Sequence, residues 1–202
     1  MNGYEETYKT IVPRLQSCDF LHAARNLGFT LISNNRLSIN FLGRIFEITR
    51  DGIKPVDGQP VNVNFLSVLV YYAVSKGGGE PTQEFYLLHH FTHGVFSGGT
   101  ISSFGWMTRS LRKVYGGDYQ KFSEAAKKLG MVYKGGRGSG TYVWNYQLLP
   151  KMPIQVVYIE ADDEFPCDIQ IYYDKTALQF LDFEPLAFLN GCFASALAAL
   201  GR

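Results

Sequence analysis

The chain contains 202 residues, of which 46% are hydrophobic and 18% are charged, and its formal net charge is +1. A chain of this size and composition can bury a core of its own, so it needs neither disulfides nor a metal to fold. The near-zero net charge argues against nucleic acid and against a membrane surface as partners.

Cysteine usage and the N-terminus predict the compartment. Cys18, Cys167 and Cys192 are far apart in the sequence. An odd, sparse set of this kind excludes a disulfide scaffold and predicts free thiols in a reducing compartment. The first residues lack the basic head and apolar run of a secretory signal, and the longest apolar run, residues 65–74, is about half a membrane span. We therefore expect a cytoplasmic protein.

The first quarter of the chain predicts two helices followed by strands. Apolar residues recur at helical spacing over residues 4–15, and a second helix begins near Asp19 and ends at Gly28. Alternating apolar residues then predict a hairpin over residues 29–41 and a third strand over residues 44–49. We expect these strands to form one antiparallel sheet.

The middle of the chain predicts three further helices. Asn64 can cap the first of them, and Ser102 or Ser103 can begin the second. The third is expected between a cap at Asp118 and a stop at Gly130.

The last third predicts three strands and a helix. The strands are expected at residues 142–149, 153–160 and 169–173, and the helix between Leu186 and Leu200. Together with the earlier elements they predict an α+β fold. We expect a single domain over residues 1–202, with a mainly antiparallel sheet of about six strands and helices packed on it.

Charge is unevenly distributed in the second half of the chain. Residues 109–137 contain eight Lys or Arg and two Asp or Glu, a net charge of +6, whereas residues 138–174 contain one Lys and six acids, a net charge of −5. The favoured interpretation is two solvated faces that partly attract each other. The alternative is a cleft with one basic and one acidic wall.

The densest acidic cluster follows the predicted strand at residues 153–160, which has almost no polar face and should be buried. Four carboxylates lie at Glu160, Asp162, Asp163 and Glu164. Such a cluster repels itself unless it is solvated, bonded to N–H groups or bound to a cation. It fits either an acidic turn that caps loop amides or a site for a hard cation such as Mg²⁺ or Ca²⁺.

The residues around this cluster help to distinguish an acidic turn from a cation site. Phe165 is expected to turn back into the core, and Asp174 ends the next predicted strand, at the opposite edge of the sheet if the two strands are antiparallel. We expect at least one loop carboxylate to accept hydrogen bonds from the backbone or from Arg44, Arg109 or Arg137. Any functional site is expected in this loop.

Three of the four histidines, His89, His90 and His93, stand close together. On a helix, His89 and His93 would share a face and could share a transition metal. On a strand they would lie about 13 Å apart, too far to share an ion. The flanking residues 85–88 are as compatible with a strand as with a helix. On the strand interpretation we expect that the three histidines do not jointly bind one metal.

Residues 135–140 form a glycine-rich segment that contains Arg137. Such a segment can present N–H groups to phosphate, which makes Arg137 a candidate anion contact. It lacks the Lys-Ser/Thr ending of a P-loop, and a predicted strand follows where a helix would be needed. A hairpin loop is the favoured interpretation.

The sequence Asp-Glu-Phe-Pro at residues 163–166, followed eight residues later by Asp174, resembles an uncharacterised prokaryotic family, domain of unknown function 3786. Segments 41–46, 68–72 and 181–184 share the resemblance, which covers about residues 4–197. The family is at home in strictly anaerobic bacteria and archaea. Some members carry an iron–sulfur module, and some are associated with corrinoid-dependent one-carbon metabolism. The resemblance implies redox or cofactor handling without specifying an activity.

Three hypotheses on function follow. The favoured one is a non-enzymatic accessory or binding protein that serves a small-molecule cofactor or a protein partner in anaerobic, corrinoid-linked one-carbon or redox metabolism. The second is a metal-assisted hydrolase or transferase that uses residues 160–164 with Asp174. The third is a subunit of a larger enzyme complex. The sequence names neither the cofactor nor the oligomeric state.

Overall fold

The computed structural model of the chain describes residues 3–92 and 108–202. These residues form an α+β fold with seven α-helices and two antiparallel sheets, which confirms the predicted fold class. None of the helices described has the length and apolar character that crossing a membrane requires.

The described residues divide into two compact units. The first comprises the described residues of Met1–Glu80, Leu149–Lys151 and Thr176–Leu189, and the second those of Pro81–Leu148, Met152–Lys175 and Asn190–Arg202. The expectation of a single domain over residues 1–202 stays a prediction.

Helices dominate the start of the first unit. A short 3₁₀ helix, Val12–Ser17, follows the first α-helix, and further helices come before and after the sheet. The α-helices are α1 (Gly3–Ile11), α2 (Phe20–Leu27), α3 (Val63–Ala73), α6 (Ala177–Phe180) and the first part of α7 (Phe183–Ala199).

Helix α2 begins and ends where the sequence predicts. The Asp19 carboxylate accepts the N–H of His22 at 2.9 Å, and Gly28 ends the helix in the left-handed conformation with φ of 79°. Helix α3 begins at Val63, and its cap lies two residues before the predicted one. Its cap is Asn62, whose side chain accepts the N–H of Asn64 at 2.9 Å. Because both residues are asparagines, which favour the cap position, the local sequence did not show which of the two caps the helix.

The sheet of the first unit is a meander of four consecutive strands. These are β1 (Thr30–Ser33), β2 (Arg36–Phe41), β3 (Arg44–Thr49) and β4 (Gly52–Pro55), each antiparallel to the next. Leu37, Ile39, Phe46 and Ile48 are buried on one face. On the other face Glu47 pairs with Arg36 and Lys54. The alternation therefore predicts the buried face correctly.

The second unit contains a sheet of five strands in the order β5-β9-β8-β7-β6. Its strands are β5 (Phe85–Leu87), β6 (Val132–Gly136), β7 (Thr141–Leu149), β8 (Met152–Ile159) and β9 (Asp168–Asp174). Strands β7, β8 and β9 match the three predicted strands, and β8 is buried along almost its whole length. The α-helices of this unit are α4 (Arg109–Tyr115), α5 (Tyr119–Leu129) and the second part of α7.

The strands thus lie in two sheets, whereas the sequence predicts about six strands in one sheet. The strands that the sequence did not indicate are short: β4 has 4 residues, β5 has 3 and β6 has 5. Runs of this length carry too few alternations to be recognised from the sequence. The assignment of strands to separate sheets depends on pairing between distant segments.

The predicted helix from Ser102 or Ser103 begins outside the described residues. The structure describes its continuation as α4, which begins at Arg109. Helix α5 agrees with the prediction, because Asp118 accepts the N–H of Lys121 at 2.9 Å and Gly130 ends the helix in the left-handed conformation.

Tyrosine hydroxyls are bonded inside the second unit. Tyr158 donates to the carbonyl of Tyr115 at 2.8 Å, and Tyr173 donates to the side chain of Asn190 at 2.9 Å. Tyr115 in turn donates to the carbonyl of Leu197. Each ring therefore adds apolar area to the core without leaving its polar atom unpaired.

The two glycines that end α2 and α5 provide a matched test of packing. A Cβ atom at Gly28 would lie 2.5 Å from Cβ of Pro150, whereas one at Gly130, with φ of 89°, would meet nothing within 4 Å. We expect Gly130→Ala to lower the free energy of unfolding by about 1 kcal/mol through backbone strain alone. Gly28→Ala should lower it by at least about 2 kcal/mol, because steric overlap is added. Chemical denaturation of both variants measures the difference, and equal losses would contradict the close approach of Pro150.

Candidate functional site

The acidic cluster lies in the connection between two central strands of the second unit. Strands β8 and β9 are antiparallel, with Ile159 opposite Asp168 at the ends nearest the connection. We call residues 160–166 the acidic loop. Because β8 is buried, its end delivers the four carboxylates of the loop to one edge of the sheet, as the sequence predicts.

A single side chain organises the acidic loop. Oδ1 of Asp162 accepts the backbone N–H of Glu164 at 2.9 Å and that of Phe165 at 2.7 Å. The N–H of Asp162 donates to the carbonyl of Phe165 at 2.9 Å, which closes the turn. The prediction that a loop carboxylate caps backbone amides is therefore confirmed, and the residue is Asp162.

These bonds act on the ionised form of Asp162. The N–H groups of Phe165 and Glu164 favour the carboxylate and lower the pKa of Asp162 below its ordinary value of 3.8. The negative charge of Asp162 is thus part of the turn at neutral pH.

The start of the acidic loop is attached to a neighbouring hairpin. The N–H of Glu160 donates to the carbonyl of Gly140 at 2.7 Å, and the hydroxyl of Tyr142 donates to Oε1 of Glu160 at 3.3 Å. Gly140 belongs to the glycine-rich segment, whose residues 137–140 form the hairpin loop between β6 and β7, as the sequence favours. The acidic loop is therefore held at its first residue as well as at its turn.

The prediction that Phe165 turns back into the core is wrong. Its side chain is 65% exposed, the largest exposed fraction among the large hydrophobic side chains that the structure describes. The N–H and carbonyl of Phe165 are both used inside the turn, and this geometry directs the ring outwards. The charged residues on either side of Phe165 in the sequence were the signal that it would be exposed. Their preference for water outweighs the preference of one apolar side chain for the core.

Asp174 lies at the other end of β9 from the acidic loop. It is buried, with 1% of its surface exposed, and is paired with Phe85 of β5. Its carboxylate accepts the N–H groups of Thr82 at 3.1 Å and of Gln83 at 2.6 Å, and also the Thr82 hydroxyl at 3.2 Å. Gln83 has a left-handed backbone with φ of 62°, which these bonds stabilise.

The register of the sheet separates Asp174 from the four other acidic residues. Asp168 lies at the end of β9 beside the acidic loop, and Asp174 is six residues further along the same strand. At strand rise this separation is about 20 Å. The structure thus brings Glu160, Asp162, Asp163 and Glu164 together and places Asp174 elsewhere.

Two of the three arginines suggested as donors to the acidic loop have other partners. Arg44 forms a two-pronged pair with Asp57, at 3.0 and 2.6 Å, and Arg137 donates to the side chain of Gln155 at 2.6 Å. Among the described residues, the donors to Asp162 are backbone N–H groups rather than Arg44, Arg109 or Arg137. Arg137, the candidate anion contact, is therefore engaged with a neutral amide.

The basic and acidic segments of the second unit meet in one ion pair. Arg112 of α4 lies 3.1 Å from Asp168 at the start of β9, and both side chains are about one-third exposed. A pair this exposed contributes little free energy. It agrees with the interpretation of two solvated faces that partly attract each other.

His89 and His90 lie in neither an α-helix nor a strand. Strand β5 precedes them, and they lie on a 3₁₀ helix, Leu88–Thr92, with ring centroids 4.3 Å apart. Burial, and then the neighbouring His90, lower the pKa of His89. His93 lies outside the described residues, so the expectation about a shared metal stays a prediction. Within residues 3–92 and 108–202, no three His, Cys, Asp or Glu side chains are grouped as metal ligands.

The three cysteines are free thiols, as the sequence predicts, and all three are buried. Burial raises the pKa of Cys18 to about 11 and that of Cys192 to about 12. The thiol of Cys18 donates to the carbonyl of Ala73 at 3.1 Å. Both thiols are therefore protonated at neutral pH and are poor nucleophiles.

Asp162 should control the order of the acidic loop. We expect Asp162→Ala to abolish the protection of the Glu164 and Phe165 amides against hydrogen exchange, because their acceptor is lost. A lowered pKa means that the bonds are present above pH 3.8 and are lost as the pH falls through the lowered pKa. In the unsubstituted protein, protection should therefore disappear only in that acid range. Asp163→Ala is the matched control and should leave both amides protected, and unchanged protection in Asp162→Ala would disprove the turn.

Asp174 should act as a structural residue. We expect Asp174→Asn to lower the free energy of unfolding by about 2 kcal/mol, because an amide cannot satisfy the same set of donors. Urea denaturation measures this change. Asp163→Asn, at an exposed position, should change stability by less than about 0.5 kcal/mol. A neutral result for Asp174→Asn would show that its bonds to Thr82 and Gln83 are not needed for folding.

Comparisons with known proteins give a family but no activity. No curated protein and no solved structure matches the chain significantly. A family model described as a domain of unknown function, DUF3786, matches residues 19–196, which is most of the chain. The chain therefore belongs to the DUF3786 family.

Proposed function

We propose that this chain is a non-enzymatic accessory protein that binds a protein partner through the acidic loop. The observation that carries the proposal is Phe165, an aromatic side chain that is 65% exposed in the middle of a carboxylate cluster. The partner expected from this chemistry presents an apolar pocket surrounded by Lys or Arg side chains.

The turn around Phe165 is suited to binding. An aromatic ring buries a large apolar area when it enters a pocket, and aromatic residues dominate the energetics of protein interfaces. The bonds to Asp162 fix the backbone on both sides of the ring before a partner arrives. A preformed turn loses less conformational entropy on binding than a flexible one.

The carboxylates give the loop its selectivity. Glu160, Asp162, Asp163 and Glu164 lie within five positions of one another, and Asp163 and Glu164 are exposed beside Phe165. Clustered charge of one sign steers an oppositely charged partner and disfavours acidic ones. Association should therefore weaken as salt screens these charges.

The metabolic setting is a further part of the proposal. The resemblance described above associates the family with anaerobic metabolism and some members with corrinoid-dependent one-carbon chemistry. We propose that the partner belongs to this redox or one-carbon metabolism. A small-molecule cofactor that binds away from the acidic loop is compatible with this proposal.

The geometry favours binding over the alternative of a metal-assisted hydrolase. In that alternative the acidic loop and Asp174 would act on one substrate, yet six positions of β9 separate Asp174 from the end of the strand beside the loop. Asp162, the central carboxylate, is also engaged through Oδ1 with two backbone N–H groups.

Photo-crosslinking tests the proposal. A photoreactive phenylalanine analogue at position 165, in the native host, should give one crosslinked product with a basic protein. Val132, 55% exposed on an edge strand of the same unit, is the matched control position and should not give that product. Identical products from both positions, or none from position 165, would reject the acidic loop as the docking site.

The crosslinked partner is then purified and its affinity is measured directly. We expect Phe165→Ala to raise Kd about tenfold or more, as for a central aromatic at an interface. Asp163→Lys should slow association, and its effect should shrink at high salt. A Kd that is unchanged in Phe165→Ala would show that the crosslink reports proximity alone.

A further inference from the structure

A cleft in the first unit is distinct from the acidic loop. Its volume is about 450 Å³, and its walls come from the end of α3, from α6 and from the start of α7. A cleft of about 480 Å³, which extends to the start of α2, shares four of its lining residues: Arg14, Val74, Ser75 and Lys76. Volumes of this size accommodate small organic molecules.

Two cationic side chains, Arg14 and Lys76, line both clefts. The guanidinium of Arg14 lies over the ring of Tyr71, 5.7 Å from its centroid, which restricts the positions it can take. Lys76 follows the C-terminus of α3. None of the ion pairs formed among the described residues includes Arg14 or Lys76. The two positive charges are therefore available to an anion in the cleft.

Ser75 adds a neutral donor to the residues that line both clefts. Its Oγ accepts the N–H of Gly77 at 3.0 Å, and its hydroxyl hydrogen can still donate to a ligand. The backbone of Gly77 packs closely against Gln179, since a Cβ atom at position 77 would overlap the carbonyl oxygen of Gln179. This contact fixes the short segment that carries Ser75 and Lys76. The donors are thus presented by a constrained backbone.

The rest of the first cleft combines apolar side chains with two polar ones, Gln179 and a single carboxylate. Tyr71, Leu181 and Pro185 line it, and Asp182 is the one acidic residue among its lining residues. With Arg14 and Lys76, the formal charge of the lining residues is +1. In the adjoining cleft the acidic residue is Asp19, whose carboxylate already caps α2.

We infer that the first cleft binds a small organic anion that consists of an acidic head group and an apolar body. Arg14, Lys76 and the Ser75 hydroxyl hold the head, a carboxylate or phosphate group, through charge-assisted hydrogen bonds. Tyr71, Leu181 and Pro185 pack against the body. The inference does not depend on the acidic loop, because every residue it uses belongs to the first unit.

Isothermal titration with phenyl phosphate tests the inference. The full chain should bind phenyl phosphate more tightly than inorganic phosphate, which lacks the body, and more tightly than phenol, which lacks the head. Arg14→Met and Lys76→Met keep the aliphatic stems and should each weaken binding about tenfold, as expected for a lost charged hydrogen bond. Ser75→Ala should weaken binding less.

Arg25→Met is the matched control, because Arg25 is an exposed cation of the same unit that lines neither cleft. It should leave binding unchanged. If phenyl phosphate does not bind, or binds equally well to Arg14→Met and Lys76→Met, the inference is wrong. Circular dichroism of each variant shows whether the protein that has lost binding is still folded. If Arg14→Met or Lys76→Met is unfolded, Arg14→Gln or Lys76→Gln takes its place in the comparison.

Discussion

Strand β8 is the constraint on which the second unit depends. Its residues are buried on both faces, so the strand can lie only in the interior of the sheet, where β7 and β9 satisfy its backbone on either side. β8 has no charged residue along its length, and the side chain of its Gln155 is bonded to Arg137. The four carboxylates therefore follow β8 directly, and the sheet edge where they appear is set by burial.

Several buried polar side chains of the second unit also have hydrogen-bond partners. Tyr158 and Tyr173 bury their rings while each hydroxyl donates to an acceptor. Asp174 accepts three donors from Thr82 and Gln83 and so joins the segment before β5 to the edge of β9. A buried carboxylate without such donors would be strongly unfavourable. Asp174, which the enzyme hypothesis joined to the acidic loop, is thus part of the framework.

The acidic loop and the cleft of the first unit present opposite charges to their surroundings. The loop is a convex, negatively charged turn with one aromatic ring, which suits a macromolecular surface. The cleft is concave, with Arg14 and Lys76 on one wall, which suits a small anion. Under the two proposals, the small anion binds to the first unit and the partner protein to the second.

Local signals determined much of the fold directly from the sequence. Asp19 and Gly28 bound α2, and Asp118 and Gly130 bound α5, because capping bonds join residues only a few positions apart. Apolar patterning likewise located β2, β3, β7 and β9, and a nearly continuous apolar run located β8 and the acidic loop that follows it. It did not locate β4, β5 or β6, which are too short for a period to emerge.

Tertiary structure decided everything that depends on distant partners. The acceptors of Arg44 and Arg137, the donors to Asp174, and the grouping of Arg14 with Lys76 join segments that no local pattern relates. Phe165 shows the same limit, since its apolar side chain suggested burial while the backbone bonds of the turn direct it outwards. Caps and periodicity are set by neighbouring residues, whereas the partner of a side chain is set by how sheets and helices pack, and the sequence does not encode that packing in any single stretch.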